Sequence, residues 1–479
     1  MWKNIAYNFV KTISSVVLPL LIFVYVSRII GPEGIGKYNF SSTFISYFTL
    51  AASLGITTYA VRECASVKNE QDKVNRVSSE ILSINICTMI ISYLVMAITL
   101  VIFNFLSNYL VLICILSGNI FFTIIGADWI NSAYEDFRYI TIRTLLFQIV
   151  AIVLTFIFVK KPSDCYIYAL ITVGATAGAN ICNVFYRRKF CRAKFTFKMN
   201  WKIHFPPIIT LFAMLLVQTI FSSTDITIIG LFRNDSEVGL YSTAVKIFSI
   251  LTTLIASIMW VVLPRLTVYF KNKQYKDINF VLKDVFQLMF GLGLPCIVGT
   301  ALLSKEIILI VGGQRYAGAE VYLVLLMVAL FFSLVGGSII GNMILLPSKQ
   351  EKFFLIACIV AAIVNVSLNL AFVPKFGALA AAVSTIISHI IILIMLIPRI
   401  DKKIYFSFIP KTIFPPMIGC FAIVAIVMFA KRAFNNIFLI VFIGVLLSVF
   451  TYFFTLKLLK YELAEKFVNK IQKRRNAHE

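Results

Sequence analysis

The sequence predicts an all-α polytopic membrane protein with about fourteen transmembrane helices. They are organised as two six-helix lobes followed by two further helices. Three observations carry this reading. The chain is 60% hydrophobic and only 14% charged, where a soluble globular chain is nearer 45–50% apolar and 25% charged. Apolar runs of spanning length recur from one end to the other. Finally, two motif pairs reappear with a spacing of 199–203 and 215 residues, as though the chain had been built twice.

The runs are residues 8–30, 40–61, 81–103, 107–127, 140–159, 165–186, 207–231, 241–264, 284–303, 320–346, 353–373, 378–398, 413–431 and 437–456. Each is long enough to cross a hydrocarbon layer of about 30 Å. The first carries Pro19 and ends at the corner Ile29-Ile30-Gly31-Pro32-Glu33-Gly34, from which the second opens. Pro295 lies inside the ninth, and a proline there frees a carbonyl and kinks the helix. Only Lys3 precedes the first run within the side-chain-charged residues, and no small-residue cleavage site follows, so that run is expected to be kept as a span.

The net charge of +23 could suggest nucleic acid, but its distribution argues for membrane topology instead. Of 44 Lys and Arg, with those near span ends counted in the flanking loop, 32 fall on the side of the N-terminus, 10 on the other side and two deeper within spans, Lys11 and Lys246. This asymmetry places both termini in the cytoplasm. The clusters at 187–202 and 470–475 then meet the anionic cytoplasmic leaflet. The nine cysteines are scattered without a C-x-x-C pair, and the three histidines (His204, His389, His478) are too dispersed for a metal site.

The first repeated pair is IIGPEGIGKY (29–38) against IIGLFRNDSEVGLY (228–241), each ending in Gly-x-Tyr. The second is IIGADWINSAYEDFRY (124–139) against IIGNMILLPSKQEKFF (339–354). They relate span 1 to span 7 and span 4 to span 10. Six spans per copy is an even number, so the copies share one orientation and are related by a pseudo-two-fold along the membrane normal. The expected division is an N-terminal lobe at 1–186, a basic connector at 187–204, a C-terminal lobe at 205–400, and two extra helices with a basic tail at 401–479. Polar residues form helical stripes: Ser42, Ser46, Thr49, Ser53 and Thr57 in span 2, and Ser242, Lys246, Ser249, Thr253 and Ser257 in span 8. Asn4, Asn8, Lys11 and Ser15 do the same in span 1. Such stripes suit a cavity lining and, equally, close helix packing.

No catalytic constellation is visible: no phosphate loop, nucleophile elbow or His-rich metal helix. The outer loops are too short to house an active site, which weighs against a membrane-embedded polymerase or transferase. Asp225 is the carboxylate well inside a predicted span, about 9 Å from its outer end. Asn365 and Asn369 of span 11 and Thr385 of span 12 fall at a similar depth. Together these supply hard oxygens for a sodium ion, and an Asp held neutral or hydrogen-bonded by neighbouring hydroxyls fits as well. The cations in or beside spans are Lys11, Arg28, Arg62, Arg143, Lys246, Arg265 and Arg315. Each alone can snorkel to an interface; lining a cavity, they would attract a diphosphate. Lys11 and Lys246, lying on polar stripes, are the foremost candidates.

The stretches PLLIFVYVSRIIGPEGIGKYNF, LGITTYAVRE, STDITIIGLFRNDSEVGLYSTAVKI and NVSLNLAFVPKFGALAAAVST resemble the bacterial polysaccharide repeat-unit flippases for O-antigen and capsule. These belong to the multidrug/oligosaccharidyl-lipid/polysaccharide exporter superfamily. The resemblance runs from the first residues to about residue 400 in the expected order. It implies two six-helix lobes that alternate between inward- and outward-open forms. The implied substrate is an oligosaccharide on undecaprenyl diphosphate, moved from the cytoplasmic to the outer leaflet of the bacterial plasma membrane. It further implies membrane lipids, and a polysaccharide polymerase or export machinery, as partners. A monomer is expected, with no nucleic acid and no cofactor. The related lipid II flippases form a cation site from the seventh, eleventh and twelfth helices, where Asp225, Asn365, Asn369 and Thr385 fall. Those relatives carry a second carboxylate near the position of Asn369, so Na+, H+ or no ion coupling all stay open. A cation-coupled multidrug exporter and a lipid II flippase are the alternatives of the same architecture.

Overall fold

The computed structural model describes residues 2–406, 409–462 and 465, with side chains from residue 18 onward except at 258, 260, 261 and 409. Every regular element among the described residues is a helix. Thirteen helical segments among them are long and apolar enough to cross a membrane. The first of these, Leu18–Ser66, contains a break at Gly31 and so accounts for two predicted spans. The chain is thus a multi-pass, all-α membrane protein. Its contacts divide it into two compact units, Met1–Gly239 and Leu240–Glu479.

The first unit starts with α1 (Trp2–Ser53), which is helical on both sides of Gly31. The predicted outer corner is therefore a sharp bend between two helical arms rather than a loop. Gly31 has φ 77° and ψ 175°, a backbone conformation that only glycine adopts without strain. Pro32 then restarts the helix, which suits a residue lacking an N–H. The unit continues with α2 (Ile56–Ser66), α3 (Gln71–Ile102), α4 (Leu110–Gly126), the short α5 (Trp129–Ala133), α6 (Phe137–Phe158), α7 (Cys165–Tyr186) and α8 (Trp201–Phe232). α1 packs against α3, α4, α6 and α8, and α7 against α4 and α6. Helix α8, the seventh span, thus packs inside the first unit, whereas the repeat groups it with the second copy.

The two repeated corners meet within this unit. A Cβ added to Gly36 would lie 1.7 Å from the carbonyl oxygen of Asp235, and one added to Gly239 would lie 1.9 Å from that of Pro32. Backbone touches backbone, and the hydrogen side chains make that approach possible. Beside this contact the Tyr109 hydroxyl donates to Asp235 Oδ1 at 2.6 Å.

Helix α9 (Asp235–Lys271) leads into the second unit. There follow α10 (Tyr275–Leu302), α11 (Ser304–Gly312), α12 (Ala319–Ser333), α13 (Glu351–Phe376), α14 (Ala378–Leu396), α15 (Ile409–Ala433) and α16 (Ile437–Leu458). α13 pairs with α14, α15 with α16, and α10 packs on α15. The predicted span 320–346 is helical throughout but changes type: beyond Ser333 it widens into a π-helix, Leu334–Leu345. Its i→i+5 pattern is seen where Leu346 N–H donates to Gly341 O at 3.0 Å.

Candidate translocation and ion sites

The predicted cavity cations fall into three environments. Arg28, Arg62 and Arg265 are exposed, and Arg62 also pairs with Glu63 at 3.1 Å and lies over the Tyr59 ring. The side chain of Lys11 lies outside the described residues. Lys246, in α9, is half-buried, and its ammonium makes no hydrogen bond or ion pair among the described residues. Above it on the same face Ser242 is buried, and below it Ser249 and Thr253 are exposed. Their hydroxyls donate to carbonyls of their own helix, Ser249 to Val245 O and Thr253 to Ser249 O, both at 2.8 Å. The stripe in the second arm of α1 is half-buried and also turns inward on its own helix, Thr49 to Ile45 O at 2.9 Å.

Arg143 is the cation whose surroundings differ most from the cavity reading. It is 6% exposed, and its Nη2 donates to both oxygens of Asp128 at 2.7 and 2.6 Å. Asn183 Nδ2 donates to the same Asp128 Oδ1 and to Gly126 O, both at 2.9 Å. Arg187 closes the cluster, its Nη1 donating to Ile125 O at 2.6 Å. Four elements, the end of α4, the start of α5, α6 and the end of α7, are thereby tied at one point. The sequence marks Arg143 as a cation in a span and leaves its partner, fifteen residues earlier at a helix end, unassigned.

The ion-site candidates divide between the units. Asp225 is 7% exposed in α8 of the first unit. Near it in sequence, Thr227 shares a 2.8 Å hydrogen bond with the Tyr47 hydroxyl of α1. Asn365, Asn369 and Thr385 belong to the second, in the seam between α13 and α14. There Asn369 Nδ2 donates to Asn365 Oδ1 at 3.1 Å, Asn365 Nδ2 to Ser384 Oγ at 3.3 Å, and Ser384 Oγ to Asn369 Oδ1 at 2.6 Å. These three residues are at most 1% exposed. Ser384 of α14 thus joins the asparagine pair, a residue the sequence reading does not single out, and its neighbour Thr385 donates its hydroxyl to Ala381 O at 3.0 Å. The signal available was the pair Ser384–Ser388, spaced four apart on one helix face. Among the described residues no group of three or more His, Cys, Asp or Glu could hold a metal ion.

The second unit also holds an apolar cavity of about 1030 Å³ between α10, α15 and α16. Leu288, Leu292, Pro295, Val427, Val445 and Val449 line it, with Asp284 and Gln287 among its few polar residues. Composition hid this feature, since every span here is apolar and only packing leaves a gap.

Comparison with known proteins fits this architecture. The chain is 22% identical over 399 residues to the putative O-antigen transporter of Escherichia coli (strain K12), covering 81% of this chain and 94% of that one. It is 23% identical over 409 residues to the capsular polysaccharide biosynthesis protein CapF of Staphylococcus aureus, covering 82% and 98%. It shares the fold of the lipid II flippase MurJ in an inward closed conformation, with a TM-score of 0.73, 18% identity and coverage of 96% of this chain and 99% of that one. The family model described as "Polysaccharide biosynthesis protein" matches residues 1–270, more than half of the 479. The chain belongs to the polysaccharide biosynthesis protein family of multi-pass membrane proteins.

Proposed function

We propose that this protein is an alternating-access flippase. It carries an oligosaccharide repeat unit, linked to undecaprenyl diphosphate, from the cytoplasmic to the outer leaflet of a bacterial plasma membrane. Both termini are cytoplasmic in this reading, as the Lys/Arg asymmetry requires. The observation that carries it is Lys246: a half-buried ammonium inside a membrane-spanning helix, without a partner among the described residues. An uncompensated cation at that depth is expensive, and a diphosphate arriving from the membrane would neutralise it. The exposed Ser249 and Thr253 on the same face extend a polar track on which sugar hydroxyls can exchange hydrogen bonds.

The cavity between α10, α15 and α16 supports a substrate with a long apolar part, since its walls are almost wholly hydrocarbon. A polyprenyl chain would reside there while its charged head engages Lys246. Asp225, a buried carboxylate in α8, is the proposed coupling group. One carboxylate balances one positive charge, which suits Na+ or H+ rather than a divalent ion.

Translocation of a fluorescent polyprenyl-diphosphate sugar in proteoliposomes tests this reading. Lys246→Ala should lower the rate about tenfold or more, the scale of a lost charge-assisted hydrogen bond. Lys271→Ala, at the exposed end of the same helix, should leave it within about twofold. Equal rates for Lys246→Ala and wild type, or no translocation of any such lipid by the wild type, would overturn the proposal.

A further inference from the structure

The basic connector between α7 and α8 is mounted on α3 in a regular way. Its backbone amides at Arg192, Lys194 and Thr196 donate to Asn75 Oδ1, Ser79 Oγ and Ser83 Oγ at 2.8, 3.0 and 2.8 Å. Alternate residues of an extended chain are about 6.6 Å apart, and every fourth residue of a helix is about 6 Å apart. The two spacings nearly match, so successive amides find successive side chains. Both ends of the strap are fixed as well. Gln71 Nε2 donates to Phe190 O at 2.8 Å. At the other end Asn200 Nδ2 donates to both Glu80 oxygens at 3.1 and 3.0 Å, and His204, 5% exposed, lies between Glu80 Oε2 at 2.9 Å and the Tyr59 hydroxyl at 2.7 Å.

This mount fixes the depth of the segment. Ser83 is nineteen residues from Ile102, the end of α3, or about 29 Å along the axis, close to the thickness of a hydrocarbon layer. Thr196 beside Ser83 therefore lies at the boundary between acyl chains and headgroups, and Arg192 beside Asn75 lies about 12 Å further into water. At that boundary Phe195 and Phe197 are 46% and 89% exposed and pack edge to face on each other. Arg192, Lys194, Lys198 and Lys202 flank them, all exposed and without an ion pair among the described residues. No Asp or Glu occurs between Asp164 and Asp225.

We propose that this strapped connector is a binding strip for anionic phospholipid headgroups of the leaflet it faces. Phe195 and Phe197 enter the acyl boundary, and the four cations hold lipid phosphates just above it. The proposal is independent of the transported substrate. A rigid strip of this kind recognises charge and depth together: the rings set how deep the segment sits, and the cations select an anionic surface.

The test uses the full chain in detergent, titrated with phosphatidylglycerol, phosphatidylcholine and a short polyprenyl diphosphate and read by native mass spectrometry. Wild type should retain phosphatidylglycerol over phosphatidylcholine by tenfold or more. Neutralising each cation should cost about fivefold at low salt, so the quadruple variant with Arg192, Lys194, Lys198 and Lys202 changed to Gln should lose the preference. Lys271, Lys273 and Lys276 changed together to Gln should keep it. Phe195→Ser with Phe197→Ser, both exposed positions, should weaken phosphatidylglycerol retention with every charge intact. A preference that survives the quadruple variant, an equal loss in the control, or binding of the polyprenyl diphosphate without phosphatidylglycerol would overturn the proposal.

Discussion

Gly36→Ala and Gly239→Ala, made singly, should each destabilise the protein by at least the upper end of about 1–3 kcal/mol, the usual cost of overpacking. The reason is what the new methyl would meet. It would lie 1.7 Å from the Asp235 carbonyl oxygen in one variant and 1.9 Å from the Pro32 carbonyl oxygen in the other. A side chain could rotate away, but a carbonyl held in a helical corner moves only with its helix. The second arm of α1 and the start of α9 would therefore have to separate, which also strains the Tyr109–Asp235 hydrogen bond. Thermal unfolding in detergent should show a clear fall in Tm for both variants, and proteoliposome translocation should fall with it. Gly174→Ala is the control, because a Cβ there meets nothing within 4 Å. Wild-type Tm and transport in Gly36→Ala would refute the backbone contact.

Asp128→Ala should be the most damaging single change in the cluster around Arg143. It leaves a guanidinium that is 6% exposed without its carboxylate, and it removes one acceptor of Asn183. Breaking a buried pair in this way costs about 3–5 kcal/mol. The Asp128 side chain is 42% exposed, so the lower end of that range applies. Asp128→Ala combined with Arg143→Met removes the stranded charge and keeps much of the volume, and it should recover most of the lost stability. Tm values for the two single variants and the double variant form the cycle that measures the pair. Transport separates two roles for Arg143. If the double variant is stable and translocates normally, Arg143 ties helices together; if it is stable and inactive, Arg143 also serves the substrate. The sequence groups Arg143 with six other cations in or beside spans, and its bond to Asp128 favours the first outcome.

The spans were readable because twenty consecutive apolar residues have few other uses in a chain with 14% charge. Gly31-Pro32 was readable as a corner for the same local reason, although not as a bend within one helical run. What was not readable depended on partners far away in sequence. Nothing local to α8 shows that it packs in the first unit, because an apolar helix can bury against either neighbour. Ser384 is hidden beside Thr385 for a different reason: adjacent residues differ by about 100° about the helix axis, and depth arguments do not resolve that angle. The role of His204 is likewise invisible locally, since it joins Tyr59 and Glu80, 145 and 124 residues away. The π-helical stretch after Ser333 has no signature in periodicity, since its residues are apolar on every side.

The hydrogen-bonded connector constrains how the chain between α7 and α8 can change in length. Its amides engage α3 at every second residue, from Arg192 to Thr196. An insertion of one residue upstream would present the wrong amides, pointing the intended donors away from the helix and turning the aromatic edge over. An insertion of two would restore the pairing one step along. Natural variation in this segment should therefore obey parity: even insertions and deletions tolerated, odd ones compensated by a bulge or absent.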